Sequence, residues 1–146
     1  MLTTSSQIQI IQLVKKKILI SDVVVFKDKD GKSLPVNKMC KIITAAAINT
    51  PSTKDGQTYL CNKQYKVMKK LIDDIFIVAC NSGADTLVLG AFGCGAFGCP
   101  IEETASIMFE TSKKYRKYFI NIVFPMTNDY MFNKYCGVAN KLKFKT

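Results

Sequence analysis

The stretch Gly90-Ala91-Phe92-Gly93-Cys94-Gly95-Ala96-Phe97-Gly98-Cys99-Pro100 constrains this chain more than any other. Four of the protein's eight glycines fall within nine positions there. Asp85-Thr86-Leu87-Val88-Leu89 before it reads as a buried strand. Pro100-Ile101-Glu102-Glu103 after it opens a helix, with proline at the first position and carboxylates in the first turn. Strand, glycine loop and helix N-terminus in that order make a cradle for an anion, usually a phosphate. Glycine lets the backbone approach the ligand, and free N–H groups point at it. The alternative is a turn that needs its glycines only for helix–sheet packing.

The 146 residues suit one domain with a sizeable core, and no apolar run approaches the roughly 18 residues that span a bilayer. Met1-Leu2-Thr3-Thr4-Ser5-Ser6 is polar, and Lys15-Lys16-Lys17 follows the apolar stretch where a signal peptide has its charges in front. A cytoplasmic protein is expected. The six cysteines form no CxxC pair and there is no histidine, so Cys/His zinc sites and Cys–His catalytic pairs are excluded. No metal and no cofactor is expected. Cys40, Cys61 and Cys80 read as small core residues, reduced in a cytosol. The net charge of +10 favours anionic partners. Its lysines are spread along the chain, with Arg116 the one arginine, so nucleic acid is not the expected partner.

Residues 7–20 alternate unevenly and suit a short helix or a strand. Asp22-Val23-Val24-Val25-Phe26 is a β-branched strand, and Asp30-Gly31 within Lys27–Lys32 is a hairpin signal. Met39 to Ala47 reads as a second, buried strand ending at Thr50-Pro51, because proline disfavours helix at the residue before it. From Gln57 to Asn81 apolar residues recur at spacings of three and four, and Gly83 suits a left-handed cap. A helix from Pro100 to Lys117, a β-rich segment Phe119–Pro125 and a short helix Asn128–Tyr135 complete the order. This alternation predicts an α/β fold with a largely buried mixed sheet, its ligand site at the carboxyl ends of the strands before Ala47 and Leu89.

Gly93-Cys94-Gly95-Ala96-Phe97-Gly98 formally fits GxGxxG, but no acidic residue ends a second strand about twenty positions on, as a dinucleotide fold requires. No Gly-Lys-Ser/Thr follows, so a P-loop is excluded. The segment Asp85–Gly98 instead closely resembles the hallmark of the microbial-type poly(ADP-ribose) glycohydrolase-like family, a branch of the macrodomains. Val23-Val24-Val25-Phe26-Lys27-Asp28 is similar to that family's VxVFRD strand, with lysine for arginine. Ile42-Ile43-Thr44-Ala45-Ala46-Ala47-Ile48-Asn49 is similar to its VISAPAPN strand and loop. Asn121–Pro125 and Asn128–Phe132 resemble its last strand and final helix. The match runs in order from Asp22 to Tyr135.

The resemblance implies a macrodomain-like mixed sheet flanked by helices, within one shortened domain spanning 1–146 that lacks the N-terminal strands of the complete fold. It implies a loop of Gly90, Phe92, Gly93, Cys94, Gly95, Ala96, Phe97 and Gly98 around the diphosphate of ADP-ribose, with Phe97 against the ribose. Asn49 would lie beside the ribose, and Asn128 and Tyr130 toward the adenosine. Phe97 as a core aromatic and Asn49 as a loop cap remain the alternatives. The family's GGG…QEE signature, whose second glutamate is the general acid, is missing. The three glutamates, Glu102, Glu103 and Glu110, all follow the loop. Glu102 and Glu103 sit where the helix dipole favours the ionised form, and glycosidic cleavage needs a proton donor. No catalytic residue is assigned, and whether the chain is an enzyme is left open. The expected function is non-catalytic binding of ADP-ribose or a related nucleotide, free or protein-linked. The alternatives are a hydrolase whose water is oriented by Asp22, Asp28 or Asp129, or an interaction protein that has lost its ligand. A homo-oligomer is expected from the exposed sheet edge that missing strands leave.

Overall fold

The computed structural model describes residues 18–143 and divides the chain into two compact units, one ending at Ala45 and the other running from Ala46. Of the reading for residues 7–20, only Ile18–Ile20 fall among the described residues, and they are strand.

In the first unit β1 (Ile18–Lys27) and β2 (Ser33–Ala45) form an antiparallel hairpin. Asp28 builds its turn: the carboxylate accepts the N–H groups of Asp30 and Lys32, and Gly31 takes a left-handed φ of 78°. The register runs from Ile18 opposite Ala45 to Val25 opposite Lys38, and then shifts before Lys27 meets Ser33. The second strand is longer than expected and is open where a buried strand was expected. Among the described residues this ladder has two strands only, so Met39, Cys40 and Ile42 stay exposed. Cys40 is therefore not a core residue.

The second unit opens with a small hairpin of β3 (Thr53–Lys54) and β4 (Thr58–Tyr59), followed by α1 (Asn62–Asn81). The helix starts five positions after Gln57 because the hairpin occupies those residues. Cys61 becomes its exposed N-cap, and is not a core residue either. One face of α1, comprising Met68, Leu71, Ile72, Ile75, Phe76, Val78 and Ala79, is buried. Gly83 ends the segment at φ 72° as expected. β5 (Thr86–Val88) and β6 (Asn121–Val123) pair in parallel, joined through α2 (Ile101–Tyr115) and a 3-10 turn at Arg116–Tyr118. Pro100 caps α2 in an extended conformation one position ahead of its predicted place. α3 runs Asp129–Lys141, longer than expected.

The core lies between the helices and the short parallel ladder. Phe76 is fully buried, stacks on Tyr115 at 5.7 Å and meets Phe119 edge-on at 6.4 Å. Phe109 packs edge-on against Phe124 at 5.0 Å and Tyr135 at 5.8 Å. Burying each such side chain contributes about 1.5–3 kcal/mol. Thr111 and Ser112, also buried, return their hydroxyls to helix carbonyls at 2.8 Å, so neither is left unsatisfied. The α/β class is as the sequence implied, with both ladder senses present. No described helix is long and apolar enough to cross a membrane.

Candidate functional site

β5 ends at Val88, and Leu89 extends the ladder by one hydrogen bond to Val123. The chain then folds back on itself through two tight turns, Cys94 N–H to Ala91 O and Gly98 N–H to Gly95 O, while Cys99 N–H closes onto Gly93 O at 3.0 Å. Gly93 supplies the left-handed residue the first turn needs, at φ 75°, and Gly98 leaves the second at φ 66°. Gly93 is also a packing position. A Cβ there would lie 2.7 Å from Ala47 Cβ and 2.8 Å from Cys99 Sγ. The packing reading of the glycines therefore holds for Gly93. It does not hold for Gly90 or Gly95, where an added Cβ meets nothing within 4 Å.

The loop after β2 is fastened to this one inside the second unit. Thr50 N–H donates to Phe97 O at 2.8 Å, and the Cys99 thiol donates to Ile48 O at 3.4 Å. Thr50 takes φ 42°, a rare value for a β-branched residue, held by that bond. Asn49 lies between the two tie points and is exposed, and among the described residues its side chain makes no hydrogen bond, so it is not a loop cap. Phe97 is 41% exposed and is not a core aromatic.

The result is a rigid loop with an open rim. Among the described residues, no protein acceptor meets the backbone N–H groups of Gly95, Ala96 and Phe97, all three exposed. Beneath the rim lies a buried polar cluster. The Tyr59 hydroxyl is 3.0 Å from Thr104 Oγ1, and Tyr135 O–H reaches Met108 Sδ at 3.3 Å. Burial pushes the Cys94 thiol up to about 11 and raises Cys99, Tyr59 and Tyr135 as well. At neutral pH Cys94 is a thiol, not a thiolate, so it serves the loop through its backbone and its packing and not as a nucleophile.

The carboxylates of α2 are occupied. Glu103 accepts the Tyr59 N–H, which ties β4 to the helix start. Glu102 pairs with Lys134 at 2.7 Å and lies 3.8 Å from Lys141, and these lysines hold its carboxyl below the usual range. Glu102 is therefore not poised to donate a proton. Asp22 is paired with Lys41, Asp28 is spent on the hairpin turn, and Asp129 opens α3. The Glu102–Lys134 pair also carries the first turns of α3 toward the start of α2. Tyr130, 65% exposed, lies one turn before Lys134, whose ammonium is 5.9 Å from its ring. Asn128 is the N-cap of α3, its side-chain Oδ1 accepting Met131 N–H at 2.9 Å.

Sequence reasoning placed Ala47 at the strand end beside the site and Cys99 within the glycine run, and it missed the parts of Thr50 and Tyr59, which shape the loop from outside or below.

No protein-family model matches the chain, and no curated protein matches it. Among solved structures, poly(ADP-ribose) glycohydrolase from Deinococcus radiodurans in complex with ADP-ribose is similar with a TM-score of 0.71 at 22% identity, covering 86% of this chain and 53% of that one. Its apo form gives 0.67 at 23% identity, covering 88% and 55%. The Thermomonospora curvata glycohydrolase gives 0.64 at 24% identity, covering 85% and 46%. The chain thus spans about half the length of the structures it matches. What they share with it is the fold, as the motifs between Asp22 and Tyr135 implied.

Proposed function

We propose that the chain binds ADP-ribose, or a nucleotide built on it, through the N–H groups of Gly95, Ala96 and Phe97, and does so without glycosidic cleavage. The observation that carries this reading is the open rim: three consecutive donors that meet no acceptor among the described residues, on a loop braced by Gly93, Thr50 and Cys99. Backbone donors fixed in place suit a diphosphate, since they cost little further ordering on binding. Gly90, Phe92, Cys94 and Gly98 shape the loop, Phe97 offers its exposed ring to the ribose, and Asn49 stands beside it. Asn128 and Tyr130 serve the adenosine end. The ADP-ribose bound by the Deinococcus structure supports the ligand class.

The state of the carboxylates supports a reading without cleavage. Glu102 is held ionised by two lysines, and Glu103 is bonded to a backbone N–H. Neither meets the need of a leaving sugar for a proton. In this reading the protein acts as one domain in the cytoplasm, sequesters or recognises an ADP-ribosyl group, and self-associates. The test is to incubate the purified full chain with an ADP-ribosylated protein and with free ADP-ribose. Calorimetric binding of ADP-ribose with no release of sugar nucleotide from the modified protein is the expected result. Release at a rate proportional to enzyme would replace this reading with the hydrolase.

A further inference from the structure

Three described residues other than glycine take a left-handed backbone: Thr50, Asp55 and Lys143. Two of them have ordinary reasons. Asp55 shares with Gly56 the turn closed by Gln57 N–H to Lys54 O at 2.9 Å, a place that aspartate tolerates. Lys143 follows the cap of α3, where chains commonly leave a helix through this region. Thr50 has neither reason, and it is β-branched.

Its strain persists because the chain is pinned on both sides. Phe97 O accepts Thr50 N–H at 2.8 Å, and Pro51 is buried. Ser52 N–H donates to Gln64 Oε1 at 3.1 Å, while Ser52 O accepts Leu60 N–H at 2.9 Å. Glycine would adopt this backbone freely and keep the same N–H. What threonine adds is a side chain. That side chain is exposed, and its hydroxyl makes no hydrogen bond among the described residues. The carbonyl bonded to Thr50 belongs to Phe97, whose own N–H is the third donor of the open rim. Thr50 is thus joined directly to the end of that row. A hydroxyl there is one more donor for the oxygens of a phosphate.

We propose that Thr50 contacts the ligand, its hydroxyl donating a hydrogen bond to a diphosphate oxygen of the nucleotide at the rim. This rests on the nucleotide reading above and adds to it a side chain from a second loop. Folding stability is exchanged for affinity at this position.

Titration calorimetry of ADP-ribose and urea unfolding, on the full chain and three variants, test it. Thr50→Gly relieves the strain, so its urea midpoint is expected to equal or exceed the parent's. Its affinity is expected to fall about tenfold, since a bond to a charged oxygen is lost. Thr50→Ala, which lacks the hydroxyl without loosening the loop, is expected to lose affinity in the same way. Thr50→Ser is expected to retain the parent's affinity. ADP shares the diphosphate, so the same losses are expected with it. Parent-like affinity in Thr50→Ala overturns the assignment and leaves the rim reading standing, and so does a serine variant as weak as the glycine one. A loss seen with ADP-ribose and not with ADP moves the contact to the ribose and overturns it as well. A parent that binds no ADP-ribose overturns both readings.

Discussion

The glycine loop and the β1–β2 hairpin are both short of regular side-chain packing, yet for opposite reasons. In the loop, the backbone is fixed from outside: Ala47 and Cys99 crowd Gly93, and Thr50 and Ile48 tie the preceding loop to Phe97 and Cys99. What stays open is a row of N–H donors. In the hairpin the backbone pairs along its length while Val24, Phe26, Val36, Met39 and Ile42 remain exposed. What stays open there is apolar. An open polar rim on a braced support suits a small anion, and exposed apolar faces suit an apolar partner. Two kinds of incompleteness thus point to two kinds of partner.

The sharpest way to break this contrast is Gly93→Val. The left-handed φ and the clash with Ala47 Cβ and Cys99 Sγ together are expected to cost about 3 kcal/mol or more, read from the urea midpoint. Tyr59→Phe removes one buried hydroxyl bond to Thr104 beneath the loop, and a loss of about 1 kcal/mol is expected from the same measurement. Glu102→Gln tests the anchoring of the helix start through pH. Its carboxyl is depressed below its ordinary 4.5, so the stabilisation is present above that value and is lost as pH falls through the lower folded value. The variant is expected to flatten that acid limb slightly, as suits a pair exposed by more than a third. Met39→Ser, on the open hairpin, is expected to change the stability of the dilute monomer by no more than about 0.5 kcal/mol. A large loss there would mean that Met39 packs within its own chain.

Much of this was legible in the residues. The glycine run, the Asp30-Gly31 turn, the apolar face of α1 and Gly83 each act locally, and each fell where the spacing placed it, while the part Asp28 plays in that turn did not show in the sequence. The failures share a cause: they concern what lies on the far side of a strand or before a helix. Cys40 reads as core in any apolar run, but its burial depends on whether a third strand covers β2. Cys61 looked helical because β3 and β4 are too short to show a period of two. In the site, the run Gly90–Gly98 was visible but its two classes of glycine were not. The role of Gly93 is set by Ala47, about forty-six positions away in the chain, and the rim at Gly95 is defined by the lack of an acceptor among the described residues.

Gly95 therefore offers the most direct test of the account. A side chain added there meets no protein atom within 4 Å and requires no left-handed backbone, so Gly95→Val should fold as the parent does. Titration calorimetry of ADP-ribose into both proteins is predicted to give measurable affinity for the parent. For the variant, a loss of at least about tenfold is predicted, some 1.4 kcal/mol, with the urea midpoint unchanged. Equal affinities in the two, or no binding to the parent, would contradict the assignment of the glycine rim as the ligand site.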